Sequence, residues 1–134
     1  MPHLLSYVVA LVIVGALDVV WLHTMADRLY RSTLGDIMLK SANLPAAAVF
    51  YLLYPVGLVV FAIAPALKSG SVFTALVNGA LFGAFTYGTY DLSNQATLRN
   101  WTTTLTVVDV AWGTLLAATS SAGATWAVQR FVAR

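Results

Sequence analysis

The chain has 134 residues, 60% of them hydrophobic and only 9% charged, with a mean hydropathy of +0.81. A soluble domain carries roughly 25% charged residues, so this composition excludes one. The formal charge of +2 is too small to suggest nucleic acid as a partner, and the lack of cysteine removes a disulfide framework, a thiolate nucleophile and a thiolate metal site.

The apolar residues fall into four segments, 4–24, 44–66, 71–93 and 102–127. Each is about the 20 residues that a helix needs to cross roughly 30 Å of hydrocarbon at 1.5 Å per residue. The expected fold is all-α: one integral membrane domain over residues 1–134, built as a bundle of four transmembrane helices.

No Lys or Arg precedes the first apolar run, and no small-residue cleavage site follows it cleanly. The segment is therefore expected to stay as a helix rather than be removed as a secretory signal. It carries Asp18, where a lipid-facing carboxylate would cost roughly 2.5–3.5 kcal/mol, so Asp18 should face other helices. Trp21 shares its helical face. His23 reads as an interfacial residue rather than a metal ligand. In residues 25–43, Leu29, Leu34, Ile37 and Met38 sit among charged neighbours. That pattern fits either a short interfacial helix over about 27–40 or an ordered polar loop. Asn43-Leu44-Pro45 then looks like a capped helix start.

The second segment contains Tyr51, Tyr54 and Pro55. The proline removes a backbone hydrogen bond, which predicts a kink and a freed carbonyl near Tyr51. The short loop Ala66–Ser71 makes segments two and three antiparallel neighbours. In the third, Gly79 and Gly83, and Ala80 and Ala84, recur at four-residue spacing with Gly88 beyond. Small residues of this kind let helices approach closely in lipid, inside the protomer or in a dimer. The segment runs into Tyr87–Trp101, the densest patch of hydrogen-bonding chemistry in the chain. Asp91 within it could close the helix by accepting from the amides of residues 93 or 94, or it could belong to a site. The fourth segment holds Asp109, Trp112 and Gly113, then a second small-residue run, Ala117–Gly123.

Counting crossings puts residues 25–43 and 94–101 on one face of the membrane and residues 67–70 and both termini on the other. The three acids then lie within roughly 10 Å of each other in depth. Intramembrane acids mark a ion pathway, a proton site or a ligand counter-charge, or else they glue helices together. The candidate ligand- or proton-binding residues are Asp18, Asp91 and Asp109 with Trp21 and Trp112. Tyr51, Tyr54, Tyr87, Tyr90 and Asn94 are their neutral partners, and Arg99, Trp101 and His23 form the rim. Arg28, Arg31, Lys40 and Arg99 on one face balance Lys68, Arg130, Arg134 and the amino terminus on the other. The positive-inside rule therefore gives almost no orientation.

Several stretches resemble a known family: Phe50-Tyr-Leu-Leu-Tyr-Pro-Val-Gly57, Phe61-Ala-Ile-Ala-Pro-Ala-Leu67, Gly79 to Trp101 around Tyr90-Asp91-Leu92-Ser93-Asn94, and Asp109-Val-Ala-Trp112-Gly113. Together they are similar to the uncharacterised bacterial membrane family called domain of unknown function 2177, over nearly the whole chain. The resemblance implies a small four-helix protein of the bacterial inner membrane and supplies no activity.

The leading functional expectation is a protein that binds or transports a small molecule or cation at the carboxylate and aromatic site, with proton linkage. So short a transporter would favour a homodimer in the lipid bilayer. The alternatives are an accessory or structural membrane subunit and, behind it, a membrane enzyme acting on a lipid. Against the enzyme, the sequence has no nucleophile arrangement, no His-rich metal spacing and no cofactor fingerprint. No catalytic residue, metal or cofactor is therefore expected.

Overall fold

A computed structural model of the protein describes residues 1–132, so Arg134 lies outside the described residues. Four helices follow one another: α1 (Pro2–Leu34), α2 (Leu44–Ser69), α3 (Val72–Thr97) and α4 (Thr103–Phe131). All four are long and apolar enough to cross a membrane, and no strand occurs among the described residues.

Local chemistry sets the helix starts. The Asn43 side chain accepts from the Ala46 amide at 3.2 Å, with Pro45 in the first turn. Ser71 accepts from the Thr74 amide at 3.2 Å and Thr102 from the Leu105 amide at 3.1 Å. Each side chain satisfies an amide that the first turn leaves without a helical partner. Gly70 closes α2 with φ +75°, a left-handed conformation open to glycine, and donates to the Ala66 carbonyl at 2.8 Å.

Two elements, α1 and α3, differ from the sequence expectation. Helix α1 does not stop near residue 24. It passes through a π-helical turn at Ala26–Tyr30 and ends at Leu34, so residues 27–34 are its last turns and residues 35–43 are turn and coil. The reason is burial: Leu29 and Leu34 pack against Trp101 and Leu105 instead of facing headgroups. Helix α3 continues through Asp91 to Thr97, so Asp91 does not close it. Helix α2 runs without interruption through Pro55, which is buried, and its departure from α geometry is a π turn at Val59–Ile63.

Helix α4 is the most enclosed of the four. Its Gly113, Ala117 and Ser121 meet Gly79 and Gly83 of α3 at backbone distance. A Cβ on Gly79 would sit 2.6 Å from the Ala117 carbonyl oxygen, and one on Gly83 would run into the Gly113 carbonyl. The small residues of α3 therefore pack inside the protomer. On the other side of α4, helix α1 presents Ser6, Ala10, Val14 and Asp18, all buried and four residues apart. Helix α2 comes close to α3 mainly through Val59–Ser69, while its first half, Leu44–Leu58, lies against α1. The first half of α2 is thus splayed away from α3, and the site lies in that gap.

This seam predicts a contrast. Gly79→Val should destabilise the protein by about 1–3 kcal/mol, the usual cost of overpacking. Gly88→Ala, whose Cβ would have nothing within 4 Å, should leave it unchanged. Thermal unfolding in detergent, followed by size-exclusion retention of the monodisperse peak, measures both.

Candidate functional site

Two of the three acids are held by aromatic side chains from other helices. Asp18 on α1 accepts from the Tyr51 hydroxyl on α2 and from the Trp112 indole N–H on α4, the latter at 3.1 Å. Asp109 on α4 accepts from the Tyr30 hydroxyl, and Tyr30 in turn accepts from the Trp21 indole N–H at 2.8 Å. Trp21 and Trp112 stack with ring centroids 4.5 Å apart and planes 5° from parallel, so the two networks share a face. An offset aromatic pair of this kind is worth about 0.5–1.5 kcal/mol beyond its buried area.

Asp91 is different. It is fully buried, and neither carboxyl oxygen accepts a hydrogen bond from the protein. No Lys or Arg among the described residues pairs with any of the three acids. The one ion pair there joins Arg31 and Asp27, at 2.8 Å on the exposed end of α1. Three carboxyl groups therefore meet without a protein cation.

Beside them is a cavity of about 630 Å³. Its polar wall carries Asp18, Asp109 and Tyr30, and Tyr51, Tyr54, Tyr87, Tyr90 and Trp112 supply aromatic surface. Gly113 makes room for Tyr87, because a Cβ there would run into the Tyr87 ring. Tyr54 stands edge-on to Tyr87 at 6.2 Å and shares a 2.9 Å hydrogen bond with Thr86. On the side facing residues 25–43, Leu29, Leu34, Trp101 and Leu105, with Trp21 and Met25 packed on them, form an apolar cluster against Tyr30, and the exposed Leu22 and Ala46 also border the cavity there.

The candidate residues separate accordingly. Asp18, Asp109, Trp112, Tyr51, Tyr54, Tyr87 and Tyr90 line the cavity. Trp21 backs it through its stack and its bond to Tyr30, and Asp91 does not line it. Asn94 is half-buried one turn further along α3, and its backbone carbonyl accepts from the Leu98 amide at 2.8 Å. Trp101 is buried in the apolar cluster, where its indole donates to Thr106 at 3.0 Å. Arg99 and His23 are exposed, and neither pairs with the acids. Tyr30, Phe50 and Thr86 also line the cavity and were not among the expected residues.

Tyr30 was hidden by the π turn. Twelve residues of regular α-helix at about 100° each would set Tyr30 roughly 120° away from Asp18. The wide turn at Ala26–Tyr30 absorbs one residue, which cuts the offset to about 20° and brings both onto one face. Such single π turns recur at functional sites. For Thr86 a signal was present, since it lies one residue from Tyr87 and one turn before Tyr90.

A family model described as "Predicted membrane protein (DUF2177)" matches residues 3–126. The chain belongs to that family. The match takes in α1, α2, α3 and most of α4, and with them every residue of the carboxylate cluster and cavity. Together with the four apolar helices, membership makes this an integral membrane protein. No curated protein and no solved structure matches the chain.

The hydrogen-bond chain from Trp21 to Asp109 predicts that Tyr30→Phe, which removes one hydroxyl and so breaks two bonds, lowers stability by about 1–2 kcal/mol, the range for interhelical hydrogen bonds in membranes. A shift of tryptophan emission should accompany it, because Trp21 loses its acceptor. Thermal melting and emission spectra of the two proteins check both parts.

Proposed function

We propose that this protein binds an organic cation in the cavity between Asp18, Asp109 and the surrounding tyrosines and Trp112. The observation that carries this reading is the meeting of three buried carboxyl groups with no cation beside them among the described residues. An ammonium or quaternary ammonium group supplies the missing charge. The rings around it suit the same guest, since a cation over an aromatic face gains about 0.5–2 kcal/mol. Tyr30 bonds one oxygen of Asp109 and leaves the other without a protein donor, whereas both oxygens of Asp18 already accept, from Tyr51 and from Trp112.

The site is also suited to proton linkage. Buried carboxyl groups with no cation beside them can take up either a proton or a bound cation. Proton and cation then compete for the same carboxylates, so binding weakens as pH falls. Coupled transport by so short a chain would take a homodimer, and the setting we propose is a bacterial inner membrane. Both belong to this proposal.

The experiment uses purified protein in nanodiscs titrated with tetramethylammonium, read by quenching of the tryptophans and by the shift in melting temperature. Wild type should bind, and less tightly at pH 5 than at pH 8. Asp109→Asn should weaken binding about ten- to hundred-fold, the equivalent of one charge-assisted contact of about 1.5–3 kcal/mol. If wild type responds to no ammonium probe, the reading fails. Asp18 and Asp109 would then act only to join helices, as in an accessory subunit.

A further inference from the structure

The cavity does not end at its polar wall. Thr86 also lines a second space, a groove of about 450 Å³ bounded by Phe61, Phe82, Phe85 and Thr89. A continuous row of rings joins the two. Phe50 lies 5.3 Å from Tyr54, Tyr54 lies 5.3 Å from Phe82, and Phe82 stacks on Phe61 at 5.6 Å and 19°. Gly57 fixes the midpoint of the row: a Cβ there would lie 2.6 Å from the tip of the Phe82 ring, so the ring is seated directly on the α2 backbone.

The groove is apolar and faces outward. Phe61 and Phe85 are exposed on the membrane-spanning stretches of α2 and α3. Toward residues 25–43 the Leu29, Leu34, Trp101 and Leu105 cluster packs against Tyr30 of the cavity wall, with Leu22 and Ala46 also bordering the cavity. Cavity and groove adjoin at Thr86 on the α2–α3 side, where the backbone of the first half of α2 stands off from α3 and is bridged to it by the Tyr54–Thr86 hydrogen bond and by Phe82 on Gly57.

Resting on the cation reading above, we propose that the ligand is a single-chain cationic amphiphile which enters from the lipid between α2 and α3, places its ammonium head beside Asp18 and Asp109, and lays its hydrocarbon tail in the Phe61–Phe82–Phe85 groove. Charge complementarity selects the head, and the continuity of the aromatic row selects an attached tail. A short, fully hydrated cation would leave the groove unused. A second apolar groove adjoins the first at Phe85 and Thr89 but shares no residue with the carboxylate cavity, so only one tail groove borders the place of the head.

The test is a chain-length series of tetramethyl-, butyltrimethyl-, hexyltrimethyl- and octyltrimethylammonium. Binding is measured by equilibrium dialysis against nanodiscs of phosphatidylglycerol, which has no cationic headgroup, with empty nanodiscs subtracted. On the free aqueous concentration, wild-type affinity should rise about three- to four-fold per added methylene, the effect of moving one CH₂ out of water. Thr89→Trp and Phe85→Trp, which fill the groove from α3 outside the carboxylate cavity, should flatten that slope and leave tetramethylammonium binding unchanged. Melting curves establish which variants are folded, and either one suffices. A flat wild-type slope, or an undiminished slope in a folded variant, overturns the tail placement while tetramethylammonium binding keeps the cation reading. If no member of the series binds wild type, the cation reading itself falls.

Discussion

Carboxyl groups in a membrane interior have to find partners, and among the described residues no lysine or arginine supplies them. The helices are arranged around that demand. Asp18 draws a hydroxyl from α2 and an indole from α4, and Asp109 draws a hydroxyl from the far end of its neighbour α1. Each hydrogen bond is modest alone, averaging about 0.6 kcal/mol in membrane proteins. Their joint effect is positional: they tie α1 to both α2 and α4 at one depth and set the Trp21 and Trp112 rings face to face.

The opposite requirement governs α3 and α4. Lipid gives no hydrophobic drive toward association, so contact must come from close backbone approach. Gly79 and Gly83 provide it against Gly113, Ala117 and Ser121. The same seam fixes Tyr87, whose ring occupies the place that a side chain on residue 113 would need. The tight half of the bundle thus positions one wall of the cavity, while the loose contact of α2 with the end of α3 leaves the cavity open.

Much of this was legible in the sequence because lipid imposes simple rules. Length and hydropathy set the four spans, and Asn43, Pro45 and Gly70 read directly as punctuation. The acids could be grouped because depth follows from counting residues, and the inward direction of Asp18 and Asp109 followed from the cost of exposing them. What could not be read was any feature that breaks the 3.6-residue period. Tyr30 sits on the wrong side of a regular helix, so its partnership with Asp109 depended on a π turn that composition does not announce. Asp91 misled in another way. A carboxylate near an expected helix end suggests a cap, but α3 runs on for six more residues and leaves that side chain with no donor from the protein. Arg99 and His23 were placed at the rim on charge alone, which says nothing about the direction in which an exposed side chain points.

The π turn in α1 also bears on how such a site could arise. A helix accommodates one surplus residue by widening a single turn, with everything beyond it rotated by about 100°. Gaining or losing one codon within Ala26–Tyr30 would swing Tyr30 toward or away from Asp109 without altering any residue of the cavity itself. In evolutionary terms, the carboxylate's partner is specified by the length of a segment as much as by its letters, so relatives that differ by a single insertion there would differ in the site while keeping the same four helices.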